Sequence, residues 1–282
     1  MQAAHQYYVP SPSHWPIVGS VALTFMGFGA AFLMNGIGAG PWMLVGGLAI
    51  LFWMMYGWFG TVARESESGR YTQVEDVSFR WSMSWFIFSE VMFFAAFFGA
   101  LFYMRALSVP DLGHADTGAN LWPAFKAGWP VGGPGIEEQF TPMGAWGIPA
   151  INTLILLTSG VTVTWAHWAL KQNNRAQLNL GLLLTVALGV VFLCLQVYEY
   201  VHAFHELNLT LAMGAYGATF FMLTGFHGFH VTIGTIMLIV ILFRCLAGHF
   251  KPEHHFAFEA VSWYWHFVDV VWLMLFVIVY WL

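Results

Sequence analysis

The sequence places ionisable side chains inside long apolar segments, where a charge is costly and a functional role is the first hypothesis. Glu90 is the clearest of them, in the run from Ser89 to Phe94. It lies about 12 Å along its helix from Ser82, where the apolar segment begins. Desolvation there would favour the neutral acid. Two interpretations stay open: a carboxyl group that exchanges protons, or a neutral glutamic acid that hydrogen-bonds a neighbouring helix.

A second set of polar residues follows one face of the last apolar segment. Glu259, Ser262, His266 and Asp269 stand at i, i+3, i+7 and i+10, which is one face of an α-helix. The remainder of this segment is mainly Trp, Phe, Val and Leu. His266 and Asp269 can pair directly, which would orient the imidazole and lower the cost of burying the acid.

The preceding apolar segment carries Thr224, His227 and His230 within about a third of a helix circumference. Gly225 and Gly228 stand beside them and would let a neighbouring backbone approach closely. This pattern predicts polar side chains at a contact between helices.

The polar residues of these three segments lie at similar depths in the membrane. His230, His266 and Asp269 lie about 13–20 Å from one membrane face, close to the level of Glu90. The sequence therefore predicts one buried polar layer that links the third, sixth and seventh spans. Its members are Glu90, His227, His230, Glu259, His266 and Asp269. Polar residues near the segment ends are predicted to be solvated or interfacial instead; these are His167, Glu199, His202, His254 and His255.

The sequence predicts no catalytic residue and no metal ligand set in this chain. Cys194 and Cys245 stand far apart in apolar segments, without a neighbouring His at ligand spacing, and are interpreted as small hydrophobic residues. Copper sites of the blue or binuclear kind need Cys with His and Met. Haem ligation by His227 and His230 is conceivable but has no further support from the sequence.

Composition indicates a membrane protein. Of the 282 residues, 59% are hydrophobic and 8% charged, which leaves too little polar surface for a water-soluble globule. Aromatic residues make up 18%, as in the belts at membrane interfaces. The net charge of −5 and the scattered basic residues argue against a nucleic-acid partner. The N-terminus lacks the positive stretch of a cleavable signal, so the first apolar segment is predicted to stay as a span.

Seven segments reach the roughly 20 apolar residues that cross a bilayer. They are predicted at 17–34, 42–62, 82–104, 148–170, 178–201, 215–243 and 257–281. The fold class is thus all-α, because open sheets do not span lipid. Seven of the nine basic residues share one side of the membrane: Arg64, Arg70, Arg80, Lys171, Arg175, Arg244 and Lys251. The positive-inside rule therefore predicts a cytoplasmic N-terminus and an outer C-terminus.

The chain is predicted to have an N-terminal two-helix unit, 1–62, and a five-helix bundle, 82–282. A mixed-charge cytoplasmic linker, 63–81, separates them and is long enough to let the first two helices stand apart. A Gly/Pro-rich outer loop, 105–147, interrupts the bundle. Loops of that length are usually functional or flexible.

Several stretches resemble subunit III of the haem–copper cytochrome c oxidases, in order and over nearly the whole chain. The matching stretches are Ser89–Phe94, Asn152–Leu157, Thr164–His167, Gly225–Val231 and Trp263–Trp272. The last stretch is long, unusual in composition and close to diagnostic. The resemblance is weakest in the 105–147 loop and in Lys171–Leu178.

The resemblance implies a non-catalytic subunit of a proton-pumping oxidase that oxidises cytochrome c and reduces O2. Haem and copper are then expected in the partner subunits I and II. Phospholipids are expected in a cleft between the first two helices and the other five. Glu90 matches the family's carbodiimide-reactive carboxylate. The implied role is to keep proton uptake into subunit I fast and to protect the active site, in a bacterial cytoplasmic membrane or, as the alternative, a mitochondrial inner membrane.

Two alternatives remain at this stage. Subunit III of a haem–copper quinol oxidase usually lacks the first two helices, so the spans 17–34 and 42–62 favour the cytochrome c branch. A proton-coupled transporter could use Glu90 and the polar face of the last span. Transporters often have inverted repeats and broken helices, and neither is evident in the sequence.

Overall fold

The computed structural model describes residues 7–114, 120–136 and 138–282. Over these ranges it contains seven helices that are long and apolar enough to cross a membrane. The prediction of an all-helical protein with seven spans is therefore confirmed. The helices are α1 (Trp15–Met34), α2 (Gly40–Glu67), α3 (Gln73–Phe102), α4 (Ile148–Lys171), α5 (Arg175–His205), α6 (Gly214–Leu246) and α7 (Phe256–Leu275).

Several helices extend beyond their predicted ends. α2 continues to Glu67 and α3 begins at Gln73, so most of the segment 63–81 is helical. α3 also continues through a π-helical turn, Tyr103–Ser108, into a short helical turn, Val109–Leu112. A change to polar residues marks where a helix leaves the hydrocarbon, and the backbone hydrogen bonds need not stop there. The chain divides into two compact units, Met1–Phe79 and Arg80–Leu282.

In the first unit, small residues hold α1 and α2 together. A Cβ atom on Gly47 would lie 2.7 Å from the Met26 side chain, and one on Gly29 would lie 2.7 Å from the backbone nitrogen of Leu44. Such contacts are possible because glycine lets two helical backbones approach closely. Apart from these small contact residues, most apolar side chains of both helices face outward.

The connection between α2 and α3 is tied by hydrogen bonds to residues near the N-terminus. Tyr71 donates its hydroxyl to Glu65 at 2.8 Å, and Tyr8 donates its hydroxyl to the other oxygen of Glu65 at 3.2 Å. The backbone N–H of Tyr8 also donates to Glu75 at 2.6 Å. Burial and the hydrogen bond to Glu65 raise the pKa of the Tyr71 hydroxyl well above its usual range. These contacts make the short connection an ordered turn.

In the second unit, two tryptophans of α7 occupy the core. Trp265 and Trp272 are fully buried, and each indole N–H donates to a hydroxyl of α4 at 2.9 Å, to Ser159 and Thr153 respectively. A buried indole N–H needs such a partner. Because both anchors come from α7, this helix determines how α4 packs within the bundle.

The region predicted as the loop 105–147 closes over one end of the second unit. Its residues 115–119 and 137 lie outside the described residues. The Gly132 carbonyl accepts from the backbone N–H of Ala215 at 2.7 Å, and the Phe140 ring stacks on Tyr216 at 5.3 Å. Gly214 has φ +64 and sits so close to Gly132 that a Cβ would clash. The described part of this region is thus packed against the start of α6.

Candidate functional site

Glu90 of α3 and His230 of α6 form a hydrogen-bonded pair. His230 Nε2 lies 2.9 Å from Glu90 Oε2. The other ring nitrogen, Nδ1, lies 2.6 Å from the carbonyl oxygen of Phe226, one turn earlier in α6. Both residues belong to the predicted polar layer, and the structure brings them together across two helices.

The hydrogen-bond partners restrict where the protons of this pair can be. Because the Phe226 oxygen can only accept, His230 Nδ1 must carry a proton and donate it. The remaining contact then needs one proton between Nε2 and the carboxyl group. Either neutral Glu90 donates to Nε2, or an imidazolium donates to a carboxylate. The pair therefore holds one shared proton in both states, and transfer of that proton between Oε2 and Nε2, which are 2.9 Å apart, converts one state into the other.

Aromatic rings surround this pair. The Phe94 ring centroid lies 4.9 Å from that of His230, and the Tyr264 ring stacks at 6.3 Å. Glu90 keeps 21% of its side-chain surface exposed. An apolar surrounding strengthens the hydrogen bond and raises the cost of separating charges.

His227, one helical turn before His230, occupies a different environment. It is buried between Phe192 and Trp272, and its Nε2 lies 3.2 Å from the carbonyl oxygen of Val268. That carbonyl requires Nε2 to be the protonated nitrogen. His227 thus joins α6 to α7 as a donor, within a closely packed aromatic cluster.

His266 and Asp269 form the pair that their spacing predicted. His266 Nδ1 lies 3.3 Å from Asp269 Oδ2, and His266 Nε2 lies 3.2 Å from the Thr164 hydroxyl of α4. The pair faces α4 at Gly160, where a Cβ would come within 2.4 Å of Asp269 Oδ2. His266 is 46% exposed on the outside of the bundle. This pair therefore makes its contacts with α4, whereas Glu90 and His230 join α3 to α6.

Glu259 is not in contact with either pair. One of its oxygens forms a salt bridge with Arg80 of α3, and the other faces His255 and His167. The structure thus divides the six residues of the predicted layer into separate groups. Depth along a helix could be counted from the sequence, but the rotation of one helix against another could not, and rotation decides which residues of one level meet.

A model of the family "Cytochrome c oxidase subunit III" matches residues 5–282. The chain belongs to this family.

Relatives named "Cytochrome c oxidase subunit 3" are similar over almost their whole length. The protein of Hippopotamus amphibius is 42% identical over 98% of this chain and 97% of its own. That of Latimeria chalumnae is 43% identical over 99% and 97%, and that of Marchantia polymorpha is 42% identical over 98% and 96%. The resemblance seen in the sequence is confirmed, and this subunit III family member is a multi-pass membrane protein of an oxidoreductase family.

Within this subunit III chain, Glu199 is a residue that the sequence placed wrongly at the interface. It is completely buried, and Tyr280 donates its hydroxyl to Glu199 Oε1 at 2.6 Å. Gln196 Nε2 lies 3.4 Å from the same oxygen. The i, i+3 spacing of Gln196 and Glu199 within an apolar run was the available signal, but the partner Tyr280 comes from a different helix.

His255 was also predicted to be solvated and is buried. Its Nε2 lies 3.2 Å from that of His167 and 3.1 Å from Glu259 Oε1. Its position in a loop between two spans suggested that the His255 side chain is exposed to solvent. However, His255 directly precedes α7, so it faces the same side as Glu259 four residues later.

Proposed function

We propose that this chain is a supporting, non-redox subunit of a cytochrome c oxidase complex in an aerobic respiratory chain. The observation that carries the proposal is the match to the subunit III family over residues 5–282, with relatives that it covers almost completely. In this proposal the chain packs against subunits I and II, which hold the haem and copper, and cytochrome c is the substrate of the complex. The chain itself carries no step of electron transfer.

The chemistry of the histidines and cysteines supports a non-redox role. His227 uses Nε2 for the Val268 carbonyl and is enclosed by aromatic rings, which leaves no room for a porphyrin. Cys194 is exposed on α5, and Cys245 is buried near the end of α6. Cys245 lies about 22 Å further along α6 than His230, and Cys194 is on α5. A Cys–His copper set therefore has no basis in these residues.

Within the complex, the Glu90–His230 pair is proposed to support proton uptake. The pair holds one movable proton, and Glu90 keeps an exposed edge in an otherwise apolar surrounding. A group that accepts a proton at this edge and releases it again can buffer the supply of protons to a neighbouring subunit. A second effect of the chain, longer lifetime of the active site, follows from keeping that supply fast.

Phospholipids are proposed to cover the outward apolar side chains of α1 and α2. Phe28, Trp42, Phe52, Trp53 and Tyr56 are among the exposed large side chains of this hairpin. We further propose that the N-terminus is cytoplasmic, from the asymmetry of basic residues, and that the membrane is the cytoplasmic membrane of a bacterium, with a mitochondrial inner membrane as the alternative.

Purification through this chain in a mild detergent tests the proposal. The expected product contains haem-bearing partner subunits and shows the absorption bands of an oxidase. A stable free chain with no haem-bearing partner would overturn the proposed membership. Removal of the chain from the complex should leave electron transfer in place but slow proton uptake and shorten the number of turnovers before inactivation; unchanged lifetime would contradict the supporting role.

Glu90→Gln tests the role of the proton pair separately. Gln cannot exchange a proton, so proton uptake should slow several-fold while the haem bands stay unchanged. Glu138→Gln, in the outer loop, is the matched control and should behave as the unmodified protein. Loss of a haem band in assembled Glu90→Gln protein would contradict a non-redox role, and unchanged proton uptake would contradict the buffering role.

A further inference from the structure

The end of the second unit where α4 ends and α7 begins contains a cluster that the oxidase role does not use. His167 lies four residues before the end of α4, His255 immediately precedes α7, and Glu259 is in the first turn of α7. Each residue offers one ligand-capable atom, and these three atoms all lie within 4.8 Å of one another. The sequence predicted no metal site here, because the three residues come from two distant segments.

The distances within the cluster match the geometry of a zinc site. His167 Nε2 and His255 Nε2 are 3.2 Å apart. Glu259 Oε1 lies 3.1 Å from His255 Nε2 and 3.5 Å from His167 Nε2. Ligand atoms at about 2.05 Å from a tetrahedral Zn²⁺ are about 3.3 Å from each other. The three atoms therefore already stand at the corners of one face of such a tetrahedron.

The hydrogen bonds of the cluster leave lone pairs at its centre. His255 Nδ1 lies 3.1 Å from the Lys251 carbonyl oxygen, so Nδ1 carries the proton and Nε2 is left as an acceptor. Glu259 Oε1 is also an acceptor, and it faces His255 Nε2 at 3.1 Å. Two acceptors at this distance repel each other unless a cation or an additional proton lies between them.

The surroundings of the cluster fit a metal ligand set. A carbonyl that accepts from the far nitrogen of a histidine is the usual device that orients a metal-bound imidazole. Arg80 forms a salt bridge with one oxygen of Glu259, and the other oxygen faces the two histidines. His255 and Glu259 are buried, while His167 keeps 19% of its side-chain surface exposed, which leaves an entry path and room for a water ligand.

We propose that His167, His255 and Glu259 bind a Zn²⁺ ion that joins the end of α4 to the start of α7. Two imidazoles and one carboxylate are a known zinc ligand set, with water in the fourth position. Nitrogen and oxygen donors in this number favour zinc over magnesium or calcium, which require more oxygen ligands. The positive charges of Arg80, which binds Glu259, and of Lys171, which acts on His167, weaken the binding of a cation.

Zinc binding by the purified complex that contains this chain tests the proposal. The complex is stripped with a chelator and equilibrated with buffered free Zn²⁺, and bound zinc is measured by elemental analysis. His255→Ala should lose one zinc ion per chain at concentrations that saturate the unmodified complex, with affinity at least about 10–100-fold lower. The matched control is His254→Ala, which removes the exposed neighbouring imidazole and should keep the ion.

A second measurement keeps the proposal testable if a variant fails to fold. X-ray absorption at the zinc edge of the unmodified complex should contain a contribution from two imidazole nitrogens and one carboxylate oxygen at 2.0–2.2 Å, and this contribution should be missing in His167→Gln and Glu259→Gln. Equal zinc content in His255→Ala and His254→Ala would overturn the proposal. So would the absence of zinc binding that depends on any of the three residues, since the cluster would then be an imidazolium–carboxylate pair.

Discussion

Two carboxyl groups of the second unit, the partly buried Glu90 in α3 and the buried Glu259 at the start of α7, have very different hydrogen-bond and ion-pair partners. Glu90 faces one histidine among aromatic rings, and the pair shares a single proton. Glu259 is held between the guanidinium of Arg80 and two histidines. The first pair can be neutral as a whole, whereas in the second the carboxyl group lies between a guanidinium on one side and two imidazole nitrogens on the other.

The difference shows that the partners of a carboxyl group decide its chemistry more than its depth does. Near the middle of the bundle, a single movable proton suits exchange. At the end of the bundle, a carboxylate neutralised on one side by arginine suits binding of a cation on the other side. Three measurements test whether Glu90 and Glu259 differ in this way.

The largest expected effect belongs to Glu259→Ala. Its removal takes away the carboxylate that forms a salt bridge with Arg80, and breaking a buried pair costs about 3–5 kcal/mol. Because Arg80 is 37% exposed, solvent screening reduces the expected loss in unfolding free energy to about 2–3 kcal/mol. Unfolding in mixed micelles of increasing denaturing detergent measures it. Glu253→Ala, an exposed carboxylate of the preceding turn, should change stability by less than about 0.5 kcal/mol. Equal losses of unfolding free energy in Glu259→Ala and Glu253→Ala would mean that the salt bridge between Arg80 and Glu259 does not stabilise the protein.

A smaller effect is expected for the Glu90–His230 pair. In a double-mutant cycle with Glu90→Leu, His230→Phe and the double variant, the coupling energy should be about 1 kcal/mol, as for hydrogen bonds between helices in a bilayer. The double variant should be more stable than the His230→Phe variant, which leaves the Glu90 carboxyl group without its acceptor. A coupling energy of several kcal/mol would instead indicate a permanent ion pair and remove the contrast with Glu259.

The smallest expected effect is that of salt. Raising ionic strength from 0.01 M to 1 M shortens the screening length from about 30 Å to about 3 Å. The destabilisation by Arg80→Gln should then shrink by a few tenths of a kcal/mol, because Arg80 is partly exposed. The coupling between Glu90 and His230 should stay constant in the same series. If the coupling energy depended on salt, Glu90 and His230 would instead be a charged carboxylate–imidazolium pair.

The number and type of helices could be predicted from the sequence because a bilayer requires about 20 apolar residues for each span. The helix ends could not, since Glu67 and Gln73 are helical although the surrounding residues are polar. Hydropathy indicates where a helix leaves the hydrocarbon, whereas the backbone hydrogen bonds of the helix can continue beyond that point.

Candidate site residues could be predicted only where both partners lie on one helix or at a recognisable depth. The pairing of His266 with Asp269 follows from their spacing, and the common depth of Glu90 and His230 made their contact foreseeable. The partners of Glu259 and Glu199 could not be foreseen. Arg80 and Tyr280 come from other segments of the chain, and only the rotation and packing of the helices bring them close.

The position of the core tryptophans in the last helix has a consequence for synthesis. Contacts between α1 and α2 join neighbouring segments, so this hairpin can form as soon as both helices have been made. Ser159 and its donor Trp265 are 106 residues apart. At about 5–20 residues per second, α4 waits on the order of 5–20 s for the indole that completes its packing. During that interval the nascent bundle depends on the surrounding lipid and on the insertion machinery to keep α4, α5 and α6 from pairing wrongly.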